Sequence, residues 1–498
     1  MTRSALFSLM LSGLLAGCFE AKPALFTAQG VMVGEVTASS AILQSRLTAH
    51  LGLVNGDVQG TAGIARFHWW TSDTDWHTSD WVDVDSTTDY IVKVMVRDLE
   101  PGTRYQYRVE YGLDANRTRS SAPASFRTLH GDAPGTTRMV ITTGMNYYHF
   151  HFGRYDSTAA YAGPDKHLGY PALAAITDLQ PDYFVGTGDN VYFDHPAEVD
   201  MEPAIARGQM PAGGWFGGKA ALTEAEIRRK YHLQFVQPRF VDLFAQVGTY
   251  WEKDDHDHRV NDSDPHMDHP ISHELGVSSF IEQLPLADPA APNPITYRTH
   301  RMSRDLQVWF LEGRDYRSPN TIPDGPGKTI WGTEQREWLQ RTLLASDATF
   351  KIIISPTPLV GPDDAYKRDN HTNPDGFRHE GDAFFDWLVE NGFVGNHLYL
   401  ICGDRHWQYH ATHPSGIDEF STGALVDNNA RAGRLAGDPN STDPDSLIVQ
   451  HYIQGTRESA TGGFLMLTVT PDDSGATAKF QFFDEQGSLL YENTKTSR

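Results

Sequence analysis

LYLICGDRHWQYH, residues 398–410, is an apolar run that ends abruptly in Gly403-Asp404-Arg405-His406. Far upstream, DYFVGTGDNVYFD, residues 182–194, has the same form: Tyr183-Phe184-Val185, then Gly188-Asp189, with Tyr192 close behind. A short apolar run bounded by glycine reads as a strand buried on both faces. In open α/β sheets the functional groups collect where such strands end. The glycine before each Asp lets the backbone turn sharply, so the carboxylate can point into a shared cleft. The two Gly-Asp ends are therefore predicted to be opposite walls of one cleft.

The segments around them follow an α/β grammar. RMVITTGM (138–145) reads as a buried strand, PALAAITDL (171–179) as a helix and DYFVGTGD (182–189) as the next strand. Later come a strand in DLQVWFLEGRDY (305–316), a helix in TEQREWLQRTLLAS (333–346) and a strand in FKIIISPTPL (350–359). A helix in DAFFDWLVENG (382–392) leads to the strand HLYLICGD (397–404), and the tail from Gly463 to Glu492 returns to hairpin patterning. Strands alternating with helices predict helices packed on sheet faces. Between Glu198 and Pro294 the content of Gly, Pro, Asp and His predicts loops built around the site.

Before residue 130 the pattern is β throughout. GVMVGEVTASSAILQSRL (30–47), ARFHWWTSD (65–73), WVDVDSTTDYIVKVMVRDL (81–99) and RYQYRVEYG (104–112) are separated by turn clusters such as Glu100-Pro101-Gly102-Thr103. About seven short strands in such a span predict a small sandwich, with no chemistry evident in its scattered histidines and acids. The polar stretch from Asn116 to Thr137 marks the boundary.

The whole chain has 498 residues, 39% hydrophobic and 11% aromatic, with 28 prolines and 44 glycines. That composition reads as globular and loop-rich. A net charge of -23 argues against a general nucleic-acid surface, which would need Lys and Arg to neutralise phosphates. It is consistent with a solvated acidic surface, or with carboxylates gathered around cations.

Four strand ends carry the candidate chemistry: TTGMNYY (142–148), GDNVY (188–192), WEKDDHDHRVND (251–262) and GDRHW (403–407). Carboxylates suit hard cations and imidazoles suit transition metals, so a mixture suits a mixed site. A Gly-Asp turn alone is only a turn, and an acidic run alone is a solvated loop; their conjunction on this grammar is what points to a metal centre. No Walker-type motif and no G-x-S-x-G elbow is present.

In this order the segments resemble the PhoD-type alkaline phosphatases, calcineurin-like metallophosphatases related to the purple acid phosphatases. The resemblance covers nearly all of the chain after its first residues. It includes DYIVKVMVRDLEPGTRYQYRV (89–109), GTGDNVY (186–192), DDHDHRVND (254–262), FLEGRDYR (310–317), GTEQREWLQRTLLAS (332–346) and ICGDRH (401–406). It implies an α/β metallophosphatase sandwich core, two mixed sheets flanked by helices, over residues 137–496. An N-terminal immunoglobulin- or fibronectin III-like β-sandwich would occupy residues 26–128. Residue by residue, it implies that Asp189 bridges two metals, that Tyr192 is a phenolate ligand of iron(III), and that His406 completes that site. Asp404 and Asn261 would hold the second cation, calcium, with Asp255 as an alternative ligand. His256 would assist at the leaving or non-bridging oxygen. Arg314 and Arg317 match a family segment, as phosphate clamps or as structural ion pairs. The implied reaction is hydrolysis of a small phosphodiester or phosphomonoester by a metal-bound hydroxide.

Two residues depart from the family pattern. Where the first strand should end in a cysteine ligand for iron, this chain has Met145, and a neutral thioether is a poor ligand for a ferric ion. Asn146 could substitute, or the iron site could be weakened, differently metallated or lost. Glu312 stands where the family has an Asp. The alternative reading is a surface lipoprotein with a degenerate metal site that binds rather than cleaves. Trp215, Phe216, Tyr366 and Phe377 are candidates to receive an apolar alcohol group.

The chain opens MTRSALFSLMLSGLLAGCFE, with Arg3 before an apolar stretch from Ala5 to Leu15. That stretch is shorter than the ~20 residues of a membrane span and has the form of an export signal. Leu15-Ala16-Gly17-Cys18 resembles a bacterial lipobox, which implies a signal over residues 1–18, lipid on Cys18, and an exported protein anchored in the envelope by that lipid alone. Cys402 is the only other cysteine and reads as a small buried hydrophobe.

Overall fold

β-Branched and aromatic residues at alternate positions, broken by turn residues, make the start of the chain a series of short strands. These are β1 (Val31–Gly34), β2 (Ala41–Arg46), β3 (Gly63–Trp70), β4 (Trp76–Thr78) and β5 (Val82–Val84). β6 (Ile91–Val96), β7 (Arg104–Gly112), β8 (Thr118–Ser120) and β9 (Ala124–Arg127) follow. The computed structural model describes residues 25–153, 160–196, 219–292, 294–456, 459–473 and 475–497. Cys18, the signal segment, Trp215 and Phe216 lie outside the described residues.

Beyond residue 130 strands alternate with helices. β10 (Thr137–Thr142), α1 (Tyr147–Phe152), α2 (Pro171–Leu179) and β11 (Tyr183–Thr187) come first. Next are α3 (Glu224–Phe235), α4 (Pro238–Phe244), β12 (Gly248–Glu252) and α5 (His273–Gln283). β13 (Arg298–Ser303), β14 (Leu306–Phe310), α6 (Gly332–Ala345), β15 (Phe350–Ser355), α7 (Arg378–Glu390) and β16 (Leu398–Cys402) continue the alternation. The chain ends in β17 (Gln408–Thr412), β18 (Asp418–Thr422), β19 (Val449–Ile453), β20 (Gly463–Asp472), β21 (Gly475–Asp484) and β22 (Leu489–Thr496). Among the described residues no helix is long and apolar enough to cross a membrane.

Two mixed sheets form the core, as the resemblance implies. One has nine strands in the order β22-β21-β20-β10-β11-β12-β1-β2-β6, the other seven in the order β13-β14-β15-β16-β18-β17-β19. Their central pairs, β10 with β11, β11 with β12, β14 with β15 and β15 with β16, are parallel. Alternate residues point to opposite faces: Met139, Ile141, Val308, Phe310, Ile352, Ile354 and Ile401 fill the layer between the sheets. Val140 and Phe184 face a second cluster with α2, α3 and α4. Trp309, Ile353, Leu400 and Cys402 face a third with α6 and α7. Both faces are covered, which is why these strands read as unbroken apolar runs. Each fully buried Ile or Phe contributes about 1.5–3 kcal/mol. Cys402 packs there as expected, a free buried thiol.

The N-terminal sandwich is present, with a difference. Its second sheet is β4-β3-β7-β8 with β5 and β9 beside it. Its first sheet, β1-β2-β6, is continuous with the nine-stranded sheet, because β1 pairs in parallel with β12 through Val33↔Gly248 and Gly34↔Thr249.

The segment expected to be loops holds four regular elements, α3, α4, β12 and α5. Thr223 caps α3 and Ser272 caps α5, and Pro238 opens α4. α3 is hard to read because its buried positions include Lys230, His232 and Gln234, so no clean apolar stripe marks it. Phe377 is buried in the third cluster rather than set in a pocket, while Tyr366 is exposed.

Candidate metal centre

The two Gly-Asp ends meet. After β11 the chain turns at Gly188 (φ 80°) into Asp189 (φ 54°); after β16 it turns through Asp404 (φ 55°) and His406 (φ 51°). Left-handed backbone at a non-glycine residue costs about 1 kcal/mol or more and persists where the surroundings enforce it. A Cβ on Gly188 would lie 2.4 Å from that of Asp254, and one on Gly403 would lie 2.4 Å from the carbonyl oxygen of Thr187. Glycine at these positions lets the ends of β11, β12 and β16 close on one another.

Asp189 Oδ2 accepts from Tyr192 Oη at 2.9 Å and lies 2.8 Å from His406 Nε2. Tyr192 Oη is itself 3.2 Å from His406 Nε2. These three side chains line a cleft of about 350 Å³ together with Asp255, His256, Asn261 and Asp404. Asp189, Asp255 and His256 each offer a donor atom within 4.8 Å of the other two.

The electrostatics favour a positive guest. Burial, with Asp255, Asp254 and Asp257 nearby, pushes the Asp189 carboxyl well above its ordinary value. Burial likewise raises Asp404. Burial and the Asp189 charge push the Tyr192 phenol up, which keeps it a donor to Asp189. Burial opposes a charged His256, but Asp194, Asp255 and Asp189 outweigh it and hold the imidazole well above its usual range. Asp194 does this directly: its oxygens are 2.7 and 2.9 Å from His256 Nδ1.

Asp189 Oδ1 and Asp404 Oδ2 are buried and accept no hydrogen bond among the described residues. Buried carboxylate oxygens are rarely left so. Carboxylates, a phenol and imidazoles converge on one cleft, so the donor set fits a pair of cations.

A family model described as PhoD-like phosphatase matches residues 154–476, and one described as PhoD-like phosphatase, N-terminal domain, matches residues 18–130. The chain belongs to the PhoD-like phosphatase family. It is thereby a phosphoesterase, a hydrolase with candidate metal-ligand clusters in its cleft. A solved structure of PhoD is 16% identical, with a TM-score of 0.68, over 97% of this chain and 90% of that one. The purple acid phosphatase PPD1 from yellow lupin (Lupinus luteus) seeds is 13% identical, with a TM-score of 0.59, over 95% of this chain and 74% of that one. Both likenesses concern the fold. No curated protein matches the sequence.

The arginines are placed differently from the clamp reading. The fully buried Arg314 guanidinium gives Nε to Asp254 Oδ1 at 2.7 Å and Nη1 to Ser263 O at 2.9 Å. Arg317, also buried, gives Nε to Gly313 O and Nη1 to Asn320 Oδ1. Both are structural pairs behind the cleft, and Glu312 belongs to the same scaffold, accepting from Lys253 Nζ at 2.8 Å and Thr296 Oγ1 at 2.7 Å. The arginine that lines the cleft is Arg431, whose buried Nε has no hydrogen-bond partner among the described residues.

Met145 faces the second apolar cluster, and its backbone N–H donates to Asp189 O at 2.9 Å. Asn146, the candidate substitute, caps α1 through Oδ1 and meets His195 Nδ1 at 3.1 Å through Nδ2. The residues beside Tyr192 are instead His149, His195 and Asn429. Asn429 Nδ2 donates to Tyr192 Oη at 2.7 Å, while its Oδ1 lies 3.0 Å from His149 Nδ1. Sequence reasoning missed Asp194, His195, Asn429 and Arg431. Only the Asp-His pair in YFDHP, two residues beyond Tyr192, carried a signal. Of the three candidate second-cation residues, Asn261 is exposed, while Asp404 is buried and Asp255 is buried beside Asp189.

Proposed function

We propose that this PhoD-like phosphatase hydrolyses small phosphodiesters and phosphomonoesters at a two-cation centre held by Asp189, Tyr192, Asp255, Asp404 and His406, with Asn261 at its open rim. The observation that carries the reading is the pair of buried carboxylate oxygens on Asp189 and Asp404 that accept no hydrogen bond among the described residues, on two side chains that line one cleft from two sheets. The carboxylate side suits calcium and the phenol–imidazole side a transition metal, iron(III) on the family pattern. Cations held there would lower the pKa of a water and neutralise phosphate oxygens.

The chain's own groups supply the rest. Asp194 accepts from His256 Nδ1 and favours the imidazolium, whose Nε2–H is then left to donate towards a phosphate or leaving oxygen. Arg431 offers an uncommitted Nε–H to a non-bridging oxygen. Asn429 and His149 fix the Tyr192 phenol. The lipobox at Cys18 is proposed to export the protein and anchor it in the bacterial envelope.

A binding protein without turnover is the second reading, and Met145 in place of the cysteine favours it. Hydrolysis of bis-p-nitrophenyl phosphate by the signal-free protein decides between them. Turnover lost to chelator, restored by calcium and abolished by Asp189→Asn in a folded variant is the expected result. No turnover with iron and calcium supplied would establish the binding reading. Retained turnover in Asp189→Asn would remove Asp189 from the centre.

A further inference from the structure

Beside the cleft, and sharing Asp255 and Asp404 with it, lies a second cluster of carboxylates that already holds a positive charge. Lys367, in the segment between β15 and α7, extends an almost buried side chain to it. Its Nζ is 3.4 Å from Asp262 Oδ1, 3.6 Å from Asp369 Oδ1 and 3.7 Å from Asp404 Oδ1. A charge-assisted hydrogen bond would be about 2.7–2.9 Å long. The ammonium is therefore bonded to none of the three carboxylates in particular; it sits between them, as an ion does in a carboxylate cage.

The cage is built for a cation. Asp255, Asp262 and Asp369 each offer an oxygen within 4.8 Å of the other two. Asp369 is buried, and neither of its oxygens accepts a hydrogen bond among the described residues; its other near charges are Arg314, with Nη2 at 3.8 Å, and Arg317. Carboxylates this close repel one another, and a positive charge among them relieves that repulsion.

We propose that the Lys367 ammonium is a tethered cation that fills the position a divalent ion would otherwise take between Asp262, Asp369 and Asp404. It holds Asp404 towards the cleft and sets how many ions the protein carries. Removing its charge turns the cluster into a calcium site. The proposal rests on the reading of the neighbouring cleft as a cation centre.

The test counts bound calcium by equilibrium dialysis and metal analysis. Lys367→Met should bind one calcium more per chain than the wild type, and adding Asp369→Asn should remove the gained ion. An unchanged count in Lys367→Met overturns the proposal. Asp369→Asn alone supplies a test that keeps the lysine charge: the wild-type count should be unchanged, and loss of an ion would show that the cluster already holds calcium. Asp189→Asn separates the two ideas. Loss of an ion in both the wild-type and Lys367→Met backgrounds supports the cation centre, and no loss in either overturns that reading without bearing on the gained ion.

Discussion

Among single side chains, the Asp194–His256 pair decides how the cleft handles protons. His256 loses its charge as pH rises through its raised pKa, so a reaction that needs the imidazolium falls off on the alkaline side. Removing the Asp194 charge lowers that pKa. Asp194→Asn should therefore move the alkaline limb of kcat to lower pH by about 1–2 units, and His256→Gln should cost ~10²–10⁴ in kcat. Alkaline limbs that coincide in wild type and Asp194→Asn would mean that His256 does not act as an acid. Asp189, Tyr192, Asp404 and His406 were legible because each follows a strand within a few residues. Asn429 and Arg431 were not, since each does its work across the fold from its own segment. Met145 stands where the family pattern has a cysteine ligand; its side chain belongs to the apolar layer beneath the cleft and its backbone N–H donates to Asp189 O.

At the scale of elements, one carboxylate fastens three of them. Asp89 accepts from Arg46 on β2 at 2.9 Å, from His232 on α3 at 2.6 Å and from Gln283 on α5 at 2.9 Å. Burial works against its charge, but His232 and Arg46 outweigh it and bring the carboxyl down to about 2. The unfolded chain has a carboxyl near the ordinary value of about 3.9. The depressed pKa stabilises the fold above that value, and roughly 2–3 kcal/mol is lost progressively as pH falls from about 5 to about 1. Urea unfolding of Asp89→Asn should show about 3–5 kcal/mol less stability at neutral pH and a flatter decline between pH 4 and 2. Equal slopes in both proteins would contradict this. The inward face of α3 explains why it escaped the sequence reading: it carries His232 for Asp89, and Lys230 and Gln234 for Tyr148, Met145 and Asn190 beside the cleft.

Over the whole molecule, the shared sheet makes the N-terminal strands part of the catalytic fold. Without β1, the edge of β12 would be bare, and exposed edges promote aggregation. A chain beginning after residue 130 is expected to aggregate, and the full chain to melt in a single calorimetric transition. Two well-separated transitions, or a soluble and active shortened chain, would show the two parts to be independent. The net charge of -23 also bears on the site: an anionic ester approaches an acidic protein readily only where cations have reversed the local field.

The sequence by itself determined the layered α/β architecture and the strand-end residues of the cleft. Both are written in local periodicity and in the glycines that let a strand end in a sharp turn. Only the tertiary structure decided that β1 joins β12, that Arg314 serves Asp254 while Arg431 faces the cleft, and that Lys367 stands among three carboxylates. Those facts depend on which distant segments pack together, and burial and charge balance settle that only once the chain has closed on itself.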